Sequence, residues 1–129
     1  MKKTILLAED DEGYRYPLVN LFEDYDFEVF EVSSKEDLMM KARQQQQALW
    51  VIDARLPSIE MEGLRAVREL AQQGCRSQFP VIFISVLPSA FAEAELEAVR
   101  QLNVDFRWLE KPFELESIFR LATSLLETL

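Results

Sequence analysis

The residues best equipped for chemistry are acidic, and they stand where apolar runs end. "TILLA" runs into Glu9, Asp10, Asp11 and Glu12, "ALWVID" ends in Asp53, "PVIFIS" ends in Ser85, and "FRWLE" ends in Glu110, followed by Lys111 and Pro112. Brought together, the leading carboxylates repel one another, at about 4 kcal/mol per pair for a ~4 Å separation and an effective dielectric near 20. Such a cluster persists by taking up protons, pairing with a cation or binding a metal. An all-oxygen set with no histidine or thiolate favours Mg²⁺, which takes one or two carboxylates plus waters and a phosphate oxygen. Lys111 and the Ser85 hydroxyl add an ammonium and a donor. Those are the groups that spread charge on a phosphoryl group in transfer, with a carboxylate as the nucleophile.

The elements must deliver these residues to one place. Strand-length apolar runs alternate with amphipathic segments. Strands are expected at Thr4–Glu9, Phe27–Val32, Ala48–Asp53, Pro80–Ser85 and Phe106–Glu110. The first helix is expected from about Asp11 to Tyr25, with Leu18, Leu21, Phe22 and Tyr25 at helical spacing and Pro17 in its first turn. Ser34 and Asp37 have N-cap and N3 spacing and open the second helix, which runs into the polar tract "QQQQ" at 44–47. A loop with Pro57 and Gly63 leads to the helix "LRAVRELAQQ". Pro88 and Ser89 open a helix with Phe91, Ala94, Ala98 and Leu102 on one face. The last helix spans Phe113–Leu129, with Leu115, Ile118, Phe119, Ala122 and Leu125 inward.

Five such units imply a parallel sheet with helices on both faces. "ILLA", "LWVI" and "VIFI" are continuously apolar, as strands covered on both faces should be. "FEVFEV" and "FRWLE" alternate apolar with charged residues and read as edges. The order 2-1-3-4-5 satisfies both, giving a flavodoxin-like (βα)5 three-layer sandwich whose site lies at the carboxyl ends of strands 1 and 3. Asp53 ends the strand nearest that point and is the candidate acceptor. The reading is one domain over residues 1–129, acting alone or as part of a longer protein.

"ILLAEDD", "WVIDARLP", "PVIFIS" and "WLEKPF" resemble, in order and spacing, the motifs of the receiver domain of bacterial two-component response regulators. The resemblance spans nearly the whole chain. It implies that Asp53 is the phosphoacceptor, that Asp10 binds Mg²⁺ directly, and that Glu9 holds a metal-bound water. It implies the Arg55 backbone carbonyl as a further ligand, Ser85 and Lys111 as partners of the phosphoryl oxygens, and a cis Lys111–Pro112 bond. Trp108 falls at the aromatic switch position. Phosphorylation is then expected to draw Ser85 toward Asp53, turn Trp108 inward and alter a face made of helix 4, strand 5 and helix 5. The implied partners are a sensor histidine kinase or phosphotransfer protein and a downstream output protein or domain, with room for a phosphorylation-dependent homodimer. Four features differ from the usual pattern: "SIEME" lengthens the loop between Pro57 and Gly63, Arg55 places a long cation beside the acceptor, Val86 stands where a small residue is common, and the stretch from Ser85 to Lys111 is extended.

Composition narrows the alternatives. Against 23 Asp and Glu stand 14 Lys and Arg, a formal charge of −9, which disfavours direct binding of nucleic acid or an anionic membrane. There is no histidine, so no Ser-His-Asp triad and no His-ligated zinc, and the phosphohistidine donor must belong to a partner. The single cysteine, Cys75, fits a reducing cytoplasm. No apolar run approaches the ~20 residues of a membrane span. The chain does not read as a metabolic enzyme. A hydrolase with Asp53 as nucleophile commonly carries a second Asp two residues on, where Arg55 stands. A flavin carrier needs a phosphate cradle where the first loop is acidic. The alternative from another class is a pseudo-receiver, a protein-binding module that is never phosphorylated.

Overall fold

Strands that read as buried on both sides, and strands that read as buried on one, sort themselves into the centre and edges of one sheet. The computed structural model describes residues 3–56 and 61–127. In chain order it contains β1 (Thr4–Ala8), α1 (Glu12–Asp24), β2 (Glu28–Val32), α2 (Lys35–Gln44), β3 (Leu49–Asp53), α3 (Glu62–Gln72), β4 (Val81–Ser85), a 3₁₀ turn (Ser89–Ala92), α4 (Glu93–Gln101), β5 (Phe106–Glu110) and α5 (Leu115–Leu126). All strand pairs are parallel and the order is β2-β1-β3-β4-β5, the flavodoxin-like arrangement expected. β3 and β4 are buried throughout, and β1 in all but its first residue, whereas β2 and β5 keep exposed positions.

The period-two alternation of strand side chains feeds two separate cores. Leu6, Ala8, Trp50, Ile52, Val81 and Phe83 pack under α2, α3 and α4. Ile5, Leu7, Leu49, Val51, Ile82 and Ile84 pack under α1 and α5. Each fully buried aliphatic side chain contributes about 1.5–3 kcal/mol. The buried Trp50 indole N–H donates to the Gln45 carbonyl at 2.8 Å, so the largest core side chain leaves no donor orphaned. Ion pairs tie the helices of the first layer together, Lys35 to Glu69 at 3.3 Å and Arg68 to Glu95 at 3.1 Å.

Side-chain caps close two helix starts, the second of them as expected. Asp11 caps α1, its Oδ1 accepting from the Gly13 N–H at 2.8 Å, and Ser34 caps α2, its Oγ accepting from the Asp37 N–H at 3.2 Å. Several helical details differ. Pro17 is the sixth residue of α1 and lies past its first turn. Its missing N–H leaves without an intrahelical partner the carbonyl of Gly13, an exposed residue that water can reach. Tyr25 is not on the buried face of α1, which is Leu18, Val19 and Phe22; it follows the helix and lays its ring on Phe119 at 4.4 Å between centroids.

The fourth helix buries Leu96 and Val99, continuing from Ala92 of the 3₁₀ turn; of the expected face, Leu102 packs half-buried against the same core and Ala98 is half-buried, whereas Ala94 is exposed and Phe91 is 71% exposed. The 3₁₀ turn from Ser89 to Ala92 advances at three residues per turn, which shifts the phase of everything after it. In α5 the buried stripe is Ile118, Ala122 and Leu125, Phe119 is half-buried, and Leu115, at the first helical position on the rim of the sheet, is exposed. The expected end of that helix at Leu129 and the loop at Pro57–Glu60 lie outside the described residues. Among the described residues no helix is long and apolar enough to cross a membrane.

Candidate functional site

The carboxyl edge of the sheet collects charge from three strand ends. β1 and β3 are paired side by side, so Glu9, just past β1, stands beside Asp53, the last residue of β3. Lys111 follows β5 and reaches back across both. Its Nζ donates to Glu9 Oε1 at 2.5 Å and to Asp53 Oδ2 at 3.2 Å. The Lys111–Pro112 bond is cis, as expected. Glu9, Asp53, Ser85 and Lys111 are all buried, an unusual environment for three ionisable groups.

Glu9, Asp10 and Asp53 each offer a carboxylate oxygen, and these atoms lie within 4.8 Å of one another, with Asp10 the exposed member. Oxygens around an ion with bonds near ~2.1 Å sit about 3–4 Å apart. The trio therefore needs at most a modest closure to hold a hard cation, and its donor set suits Mg²⁺. Burial and the neighbouring Asp53 carboxylate push the Glu9 carboxyl up to about 8, against the opposing pull of Lys111. Burial pulls the Lys111 ammonium down, but the bonds and charges of Glu9 and Asp53 outweigh it and hold it above its ordinary value.

The acidic run divides between site and scaffold. Asp11 caps α1 through its side chain, while its backbone N–H donates to Glu9 Oε2 at 3.2 Å. Glu12 lies in the first turn of α1, where a negative charge is favoured.

The backbone around Asp53 is closely fitted. Its Oδ1 accepts from the Arg55 N–H at 2.9 Å, and the Ala54 carbonyl accepts from the Leu64 N–H at 3.1 Å, which pins the start of α3 to the end of β3. Gly63 permits that approach. An ideal Cβ there would lie 2.0 Å from the Asp53 carbonyl oxygen.

Ser85 ends β4, with its carbonyl accepting from the Lys111 N–H at 2.7 Å. Its Oγ accepts from the Leu87 N–H at 3.1 Å, which leaves the hydroxyl proton to donate elsewhere. Trp108, half-buried on β5, donates its indole N–H to the Leu87 carbonyl at 3.0 Å and packs against Phe83. One residue, Leu87, thus bridges Ser85 and Trp108. Val86 is exposed beside it.

Two contributors escaped the sequence reading. The Tyr14 ring lies 4.2 Å from Lys111 Nζ, centroid to nitrogen, and also meets Phe113. The Arg15 Nη1 donates to the Glu9 carbonyl at 2.9 Å. Both sit on the first turns of α1, where sequence periodicity alone reads them as ordinary helix residues.

A family model described as the response regulator receiver domain matches residues 5–123. No curated protein sequence matches significantly. Among solved structures, the signal receiver domain of a putative Luxo repressor protein from Vibrio parahaemolyticus superposes with a TM-score of 0.79 at 20% identity, covering 98% of this chain and 92% of that one. Chemotaxis protein CheY4 of Vibrio cholerae gives 0.78 at 18% identity, covering 97% and 99%. The receiver domain of a sensor histidine kinase from Pseudomonas aeruginosa, which has a magnesium ion coordinated in its active-site cleft, gives 0.76 at 21% identity, covering 99% and 100%. At these identities the structural likeness speaks for the fold.

Proposed function

The chain belongs to the response regulator receiver domain family, and on that premise we propose that Asp53 accepts a phosphoryl group from a partner's phosphohistidine. In the transfer an Asp53 carboxylate oxygen bonds to phosphorus. The nitrogen–phosphorus bond of the partner breaks, and its electron pair returns to the imidazole. The product is an acyl phosphate on Asp53. Glu9, Asp10, Asp53 and the Arg55 backbone carbonyl would hold Mg²⁺, with Glu9 acting through a bound water. The ion would supply neutralisation of the phosphoryl charge.

The observation that carries this reading is the buried Lys111 ammonium between Glu9 and Asp53. It offsets the charge of the acceptor before transfer. After transfer the phosphoryl oxygens compete for the same ammonium, and Lys111 pairs with one of them. The free proton of Ser85 donates to another. Because Leu87 hangs on Ser85 at one end and holds Trp108 at the other, a shift of Ser85 releases or re-aims the indole. The face of α4, β5 and α5 then changes its preference for an output partner.

This switch is tested by titrating the protein with Mg²⁺ and beryllofluoride while following tryptophan fluorescence. Trp50, fully buried in the core, serves as the background, measured in a Trp108→Phe variant. A saturable change that vanishes in Trp108→Phe supports the switch. A silent titration would favour the phosphorylation-independent module instead.

A further inference from the structure

Arg15 is the one described arginine whose guanidinium meets the backbone of the acidic pair. Its side chain is only 13% exposed. Nη1 donates to the Glu9 carbonyl at 2.9 Å and approaches the Asp10 carbonyl at 3.5 Å. On the far side Nε pairs with Glu31 Oε1 of β2 at 3.4 Å, and Nη2 lies 3.6 Å from Glu12 Oε1. The planar fork therefore spans from α1 across the end of β1 to β2. β1 stops at Ala8, so the carbonyls of Glu9 and Asp10 lie beyond the regular ladder of the strand. Two further bonds fix the segment: the Glu9 N–H donates to the Val32 carbonyl at 3.0 Å, and the Asp11 N–H holds the Glu9 carboxylate.

We propose that Arg15 is a positioning residue for the cation pocket, setting the backbone from which Glu9 and Asp10 project. The proposal rests on the reading of Glu9, Asp10 and Asp53 as a Mg²⁺ site. Arg15 donates to the Glu9 carbonyl and approaches that of Asp10, and the carboxylates of these two residues lie, with that of Asp53, within 4.8 Å of one another. It acts on geometry, and its charge works the other way. A cation next to the pocket repels Mg²⁺, so removing it for electrostatic reasons alone would tighten metal binding. Loss of a group that orients ligands typically weakens metal affinity by about 10–100-fold. The two roles predict opposite signs, and the sign of the change tells them apart.

The test is calorimetric titration of the intact chain with Mg²⁺ alone, for wild type, Arg15→Met and Arg15→Lys, with folding checked by circular dichroism. Arg15→Met should bind about tenfold more weakly or worse, although its pocket is one charge more negative. Arg15→Lys keeps the charge but replaces the rigid fork with a single flexible ammonium, and should also bind more weakly than wild type, by less. Mg²⁺ binding by either folded variant that equals or exceeds wild type overturns the inference. Should Arg15→Met fail to fold, the lysine variant decides, because a pure field effect leaves its affinity unchanged. A wild type that does not bind Mg²⁺ refutes the proposed function itself, a separate result.

Discussion

Replacing Gly63 by alanine is the sharpest probe of how the acceptor strand is held. Gly63 is the second residue of α3, a position where alanine is ordinarily the better helix former by about 0.8–1 kcal/mol. Propensity alone therefore predicts a stabilised protein. Packing predicts the reverse. The new Cβ would stand 2.0 Å from the Asp53 carbonyl oxygen and 3.1 Å from Ile52 Cγ2. Close carbon–oxygen contacts settle near ~3.3 Å, so the backbones must part by about 1.3 Å. No rotamer relieves this, because the obstacle is the main chain of a buried strand end. The hydrogen bond from Leu64 to Ala54, 3.1 Å long, stretches with it. An overpacked site costs about 1–3 kcal/mol and a lost hydrogen bond about 1, leaving a net loss of about 1–3 kcal/mol after the propensity gain. Urea unfolding followed by the fluorescence of buried Trp50 would show this as a midpoint lower by about 0.7–2 M, for a slope near 1.5 kcal/mol/M. A Gly63→Ala protein as stable as wild type, or more stable, would refute the claim that α3 must touch the backbone of Asp53.

Other expectations concern the charged cluster. Glu9 keeps its proton up to about 8 in the folded chain and releases it near 4.5 in the unfolded one, so the folded state holds the extra proton between those values. Without Mg²⁺ its contribution is fully present below about 4.5 and is lost as pH rises through 8; urea melts across that window should decline in wild type and flatten in Glu9→Gln. Because the metal requires the deprotonated carboxylate, Mg²⁺ affinity should rise with pH over the same range. Asp10→Asn should abolish or strongly weaken Mg²⁺ binding by calorimetry, while Glu12→Gln, altered on the first turn of α1, should leave it within about twofold. Tyr14→Leu removes the ring beside Lys111 and should cost about 0.5–2 kcal/mol in urea melts, a loss that largely disappears in a Lys111→Met background.

How much of this was legible in the sequence depends on the kind of interaction. Central and edge strands declared themselves because double coverage demands unbroken apolar runs such as "LWVI", while single coverage tolerates "FEVFEV". With the strand order in hand, topology brought Glu9, Asp53 and Lys111 together, although the bond between Lys111 and Glu9 spans 102 residues. The buried face of α4 was misread because a 3₁₀ turn precedes it, and periodicity cannot see a change of pitch. Pro17 was placed too early for a related reason: Gly13, whose carbonyl loses its partner, is an exposed residue, which makes an interior proline tolerable, and exposure is a tertiary property. Tyr14 and Arg15 were invisible for a different reason. Nothing in their identity or spacing marks one as the neighbour of Lys111 and the other as the clamp on Glu9; only the packing of α1 over the sheet edge does.

The central claim is that Asp53 takes up a phosphoryl group. Wild type and Asp53→Asn should be incubated with acetyl phosphate and Mg²⁺ and read by intact-protein mass spectrometry. The account predicts a gain of one phosphoryl group in wild type, lost when Mg²⁺ is chelated and absent in Asp53→Asn. Undiminished labelling of Asp53→Asn, or a wild type that stays unlabelled under every Mg²⁺ condition, would contradict it.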